Sequence, residues 1–109
     1  MTDQEVNKII TDYMGSHKRY RRVEDSGLVT EQMEYVKYTE SLDLLVPVWE
    51  NSRIASQAYF EFDRLRNTYE FEIRFDRGKY EEKEFYSRRE TLALAAAHAT
   101  AQAIKELND

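Results

Sequence analysis

The chain of 109 residues has no cysteine, one proline and three glycines. Without thiols, disulfides, thiolate metal sites and cysteine nucleophiles are excluded. So little proline and glycine excludes collagen-like and low-complexity architectures, which need both in bulk. No long apolar run occurs, and the opening MTDQEVNKII is charged within its first five residues. Neither a signal peptide nor a membrane span is therefore expected, and a cytosolic protein is. Basic residues are not in excess: Lys plus Arg number 16 against 21 Asp plus Glu, a formal net charge of −5. That balance argues against a general binder of phosphate backbones. What remains, 41% hydrophobic and 34% charged residues, suits one soluble domain.

Hydrophobic spacing orders the chain. Thr2 and Glu5 have the spacing of a capping box, and Val6, Ile9, Ile10, Tyr13 and Met14 then recur on one helical face up to Gly15. This predicts a helix over about 3–14, ended by a left-handed glycine. Residues 16–37 show no sustained period and are read as a long connection with at most a short strand or turn of helix. In SLDLLVPVWENS, Ser41 is a candidate cap for a helix that is apolar nearly all round, with Pro47 expected to kink it or to begin a separate turn. From Gln57 the period becomes two. Ala58, Phe60 and Phe62, then Tyr69, Phe71, Ile73 and Phe75, alternate with polar residues, predicting two strands with a tight turn at Arg66 and Asn67. A second turn at DRGK, around Gly78, leads into a third strand, KYEEKEFYS. Ser87 and Glu90 suggest a cap for the closing helix LALAAAHATAQAIKEL, whose alanines allow close approach to the sheet. The fold class expected is α+β: helix, helix, three-stranded antiparallel meander, helix, with the sheet packed on the helices. Phe60, Phe62, Phe71, Ile73, Phe75, Leu92, Ala96 and Ile104 are the expected core.

Chemistry is harder to find. His17 and His98 are far apart in sequence with no metal-binding pattern around either, so no metal and no cofactor are expected. Carboxylates at Glu61, Asp63, Glu70, Glu72, Glu81, Glu82 and Glu84 are interleaved with Arg64, Arg66, Arg74, Arg77, Lys79 and Lys83. This is the make-up of a solvated antiparallel face with cross-strand charge pairs. With no phosphate loop, nucleophile elbow or triad spacing, the chain is read as non-enzymatic. The sharpest charge feature is HKRYRR: Lys18, Arg19, Arg21 and Arg22 surround Tyr20, a composition able to hold phosphates and stack a base. Glu24 and Asp25 follow directly, and a solvated or protein-binding loop is the preferred reading.

The helix ending at Met14-Gly15, the segment YTESLDLLVPVWE, the aromatic strand pair and the closing RRETLALAAAHATAQAIKEL together resemble small phage and prophage proteins of the phage ABA sandwich domain type. The distinctive part is a YT-SLD-L-PV-E pattern on Tyr38, Thr39, Ser41, Leu42, Asp43, Leu45, Pro47, Val48 and Glu50. The resemblance implies a phage accessory product acting in the bacterial host cytoplasm, and it supplies no catalytic residues. The expectation is thus a non-enzymatic protein that binds a host or phage protein, with inhibition of a bacterial defence system as one form of that activity. The alternative is a nucleic-acid or nucleotide binder using Lys18, Arg19, Tyr20, Arg21 and Arg22. Self-association as a dimer is also expected, through the second helix or the helix-free side of the sheet, because a helix carrying Leu44, Val48 and Trp49 on several sides has more apolar directions than one contact covers. EDTA should leave the thermal midpoint in metal-free buffer unchanged; a fall of several degrees would contradict the absence of a structural metal.

Overall fold

A computed structural model describes residues 1–16, 18–51, 57–76 and 82–108. Helix α1 (Asp3–Met14) begins where expected: Thr2 accepts a hydrogen bond from the Glu5 amide through its hydroxyl. It ends at Gly15, which has φ 63° and returns its amide to the Asp12 carbonyl, while the Ser16 amide reaches Thr11. Both ends are thus set by local chemistry.

Residues 16–37 hold more than the single short strand or helical turn expected at most within a long connection. Strands β1 (Lys18–Val23) and β2 (Val29–Glu34) pair antiparallel around a turn in which Gly27 has φ 80°. The turn is closed by bonds from the Glu24 amide to Leu28 and from the Gly27 amide to Glu24. The hairpin contacts mainly itself, and Val23, Leu28 and Val29 at its tip are exposed.

A short 3-10 turn (Tyr38–Glu40) follows, then α2 (Leu42–Asn51). The turn is bolted to α1. Asn7 accepts from the Thr39 amide at 3.0 Å and donates to its hydroxyl at 3.2 Å, and the Ser16 and Tyr38 hydroxyls are 3.0 Å apart. Helix α2 runs through Pro47 rather than breaking into separate turns. Pro47 and Asp43 are exposed, so water can satisfy the Asp43 carbonyl that loses its intrahelical donor.

The meander is β3 (Gln57–Asp63), β4 (Thr68–Asp76) and β5 (Glu82–Arg89), in that spatial order and antiparallel throughout. Asp63 accepts from the amides of Leu65 and Arg66, and Asn67 takes φ 53°, which closes the first turn. The Gly78 turn and His17 lie outside the described residues, as does the side chain of Phe75. The final helix is α3 (Leu92–Asn108). Its cap is Thr91, whose hydroxyl accepts from the Leu94 amide at 3.1 Å, not the expected Ser87. Ser87 instead stays in β5 opposite Phe71, because strand pairing with β4 continues to Arg89.

Helix α3 is the hub. Residues 95–101, with Ala103 and Ile104, are buried on every side, between β4 and β5 below and α1, the 3-10 turn and α2 around it. Val6, Ile10, Tyr38, Leu45, Val48, Phe71 and Ile73 complete the core. Two core expectations fail: Phe60 is 67% exposed and Phe62 45%. The cause is coverage, since α3 lies over β4 and β5 while every described residue of β3 is exposed or half-buried. Val48, expected on an interface, is fully buried, whereas Leu44 is exposed. Val48→Ala should therefore cost about 2 kcal/mol and Leu44→Ala under about 0.5 kcal/mol by denaturant titration. Equal costs would misplace α2.

Candidate interaction surface

The register of the meander sorts its side chains into two faces. Toward the helices lie the rows Ala58–Ile73–Phe85, Phe60–Phe71–Ser87 and Phe62–Tyr69–Arg89. Toward solvent lie Gln57–Arg74–Glu84, Tyr59–Glu72–Tyr86, Glu61–Glu70–Arg88 and the pair Asp63–Thr68. Among the described residues every helix lies on the first face and none covers the second, which is polar as the sequence suggested.

The open face forms a shallow concavity of about 510 Å³ whose lining includes Tyr59, Glu61, Glu70, Glu72, Arg74 and Tyr86. Arg88 pairs with Glu70, Arg74 approaches Glu84 at 3.4 Å, and the Arg74 guanidinium lies 5.2 Å from the Tyr59 ring centroid. These contacts hold the arginines flat on the sheet. Among the side chains described on this face, five carboxylates (Glu61, Asp63, Glu70, Glu72, Glu84) meet two guanidiniums. Glu61 and Glu70 are direct cross-strand neighbours, a juxtaposition of like charges that Arg88, paired with Glu70 in the same row, offsets. The Tyr86 phenol is pushed above its ordinary value, first by desolvation and then by the hydrogen bond and charge of Glu70. It therefore stays protonated, a fixed donor, throughout the neutral range.

On the helix face the aromatic rows are half covered. Trp49 stacks on Phe71 with centroids 5.3 Å apart, and its indole N–H donates to Thr100 at 3.0 Å. Phe62 and Tyr69 lie 4.9 Å apart. Of the three expected interface residues, Val48 is core, Trp49 is half-buried and tied to α3, and Leu44 alone is exposed.

Lys18, Arg19, Tyr20, Arg21 and Arg22 all fall in β1 rather than a loop. The β1–β2 register sets Lys18 opposite Glu34 and Arg21 opposite Glu31. Their side chains lie outside the described set. His98 is buried, with Nδ1 3.2 Å from the Arg89 guanidinium and Nε2 3.0 Å from the Asp3 carboxylate. A guanidinium can only donate, so Nδ1 accepts and the ring is assigned as the neutral Nε2–H tautomer donating to Asp3. The chain Arg89–His98–Asp3 thus ties β5 to α3 and to the start of α1. Among the described residues, no three His, Asp or Glu side chains are grouped to hold a metal, and no helix is long and apolar enough to cross a membrane.

Sequence reasoning identified the open face as solvated but missed its Tyr59–Glu72–Tyr86 row, because only the strand register puts the two tyrosines on either side of one carboxylate. No protein-family model, no curated protein and no solved structure matches the chain. Since Glu70 contributes to raising the Tyr86 pKa, Glu70→Gln should lower it toward 10 in an NMR titration of ring-labelled tyrosine. In the wild type the unfolded chain loses that proton first, so this phenol's share of stability is present below pH 10 and is lost as pH rises through the folded value. An unchanged Tyr86 titration in the variant would remove Glu70 from its environment.

Proposed function

We propose that this chain is a non-enzymatic phage or prophage accessory protein that acts in the host cytoplasm by binding a protein, through the open face of its β3–β4–β5 sheet. The phage assignment rests on the resemblance carried by the YT-SLD-L-PV-E pattern. The binding assignment rests on one observation: an uncovered sheet face with two exposed tyrosines flanking Glu72 and a surplus of carboxylates. Tyrosines offer large, stiff contact area with a polar tip, the composition of protein-binding hot spots. The surplus negative charge favours a basic surface on the partner. A concavity this shallow suits a protein surface better than a small molecule, which needs most of its own area enclosed. Blocking a surface of a bacterial defence protein is one use of such a face.

The nucleic-acid alternative would use Lys18, Arg19, Tyr20, Arg21 and Arg22. The register weakens it, since Glu34 and Glu31 stand opposite Lys18 and Arg21 and reduce the local positive field.

Affinity capture from phage-infected host lysate tests the reading, comparing the wild type with a Glu61→Lys/Glu72→Lys variant. A single protein captured by the wild type should be lost, or bound at least about tenfold more weakly, by the variant, roughly 1.4 kcal/mol or more. Equal capture by both would place binding elsewhere. Nucleic acid in the eluate, removed by Arg19→Ala/Arg21→Ala/Arg22→Ala, would favour the alternative.

A further inference from the structure

The strand β3 is exposed on both faces and forms an edge of its sheet. Natural edge strands are shielded by lysine, proline, bulges or a covering element, since their free amides and carbonyls otherwise recruit another strand. The opposite edge, β5, carries Lys83, Arg88 and Arg89. The sequence of β3, QAYFEFD, has no basic residue and no proline, and Phe60 and Phe62 stand uncovered on its helix-side face.

We propose that β3 pairs antiparallel with β3 of a second copy of this chain, about a two-fold axis through Phe60, to give a continuous six-stranded sheet. In an antiparallel pair, residues opposite each other have their amides pointing the same way, both toward the partner or both away from it. On a strand paired with its own copy they are therefore an even number of positions apart, and the axis must pass through a residue rather than between two. Near the middle of β3 this leaves three centres. An axis at Glu61 sets that carboxylate against itself. An axis at Tyr59 leaves Phe62 and Asp63 facing positions beyond the strand. An axis at Phe60 uses all seven residues of β3. It sets Phe60 on Phe60 and Ala58 on Phe62 on one face, with Tyr59 opposite Glu61 and Gln57 opposite Asp63 on the other. Every carboxylate then meets a neutral hydrogen-bond donor, and every apolar residue an apolar one. The strand is complementary to itself in this register, which is what an isologous contact requires.

The helices leave room for the pairing. Because α3 lies over β4 and β5, the two α3 axes would stand roughly four strand spacings apart, about 19 Å, well beyond the 8–10 Å of a direct helix contact. The channel between them is floored by Phe60 and Phe62 of both copies and flanked by Trp49, already stacked on Phe71. On the other face Tyr59 of one copy adjoins Glu61 of the next, so the open face runs unbroken across the dimer. The proposal stands on β3 alone and holds whether or not that face binds another protein.

Sedimentation equilibrium of the full chain from 1 to 100 μM, with single-site variants, tests it. The wild type should be dimeric, and Phe60→Lys should weaken dimerisation by about a hundredfold, since it removes both rings of the Phe60 pair and sets two cations together at the axis. Phe60 is exposed in the single chain, so an unchanged circular dichroism spectrum would accompany that loss. The chain has no cysteine of its own, so Phe60→Cys should oxidise to a covalent dimer. Ala58→Cys and Phe62→Cys should cross-link to each other when mixed, and more slowly when alone. A chain monomeric at 100 μM overturns the proposal. So does a dimer that survives Phe60→Lys, or one in which Phe60→Cys cross-links no faster than Leu44→Cys on α2.

Discussion

Everything else in the fold depends on how closely α3 can be approached. Seven alanines in its 17 residues leave it almost without side-chain bulk. Strands from below and helices from around it therefore come near enough to bury residues 95–101 completely. The two larger polar residues in that stretch are fastened rather than tolerated. Thr100 donates to the Ala96 carbonyl at 2.7 Å and accepts the Trp49 indole, and His98 bridges Arg89 and Asp3. A buried polar group without such partners would cost on the order of 1–3 kcal/mol.

The same constraint decides what is left outside. One slender helix spans two strands, not three, so β4 and β5 are covered and β3 is not. With all the helices on one side, the polar rows of the meander form an uninterrupted surface on the other. The open face and the open edge are two results of one packing choice, and they meet at β3, where Tyr59 and Glu61 belong to the first and Phe60 and Phe62 to the second. The region best placed for interaction is thus the region the core cannot reach.

Local signals were legible where local chemistry decides. The ends of α1 follow from Thr2, Glu5 and Gly15 with no reference to the rest of the chain. Two-residue alternation identified β3 and β4, but alternation reports a face and not whether anything lies on it, so Phe60 and Phe71 read alike and differ in burial. The hairpin at residues 18–34 was missed because four of the six residues of β1 are charged, which leaves no apolar alternation to read. The turn-forming run Glu24–Asp25–Ser26–Gly27, set between Val23 and Val29, was the available signal. Capping chemistry pointed to Ser87, yet Thr91 serves, because pairing across the sheet outweighed a local pattern. Four positions of the YT-SLD-L-PV-E pattern have structural roles: Tyr38 and Thr39 fasten the 3-10 turn to α1, and Leu45 and Val48 enter the core. The candidate surface was harder to read, since it arises from strand register and missing coverage, neither of which leaves a periodic trace.

Hydroxyl-radical footprinting of the chain at nanomolar concentration, where single copies prevail, tests most directly the claim that α3 covers two strands and leaves the third bare. Phe60 and Phe62 should be modified readily while Phe71 and Ile73, one strand away, stay protected. Protection of Phe60 equal to that of Phe71 in the isolated chain would contradict the account.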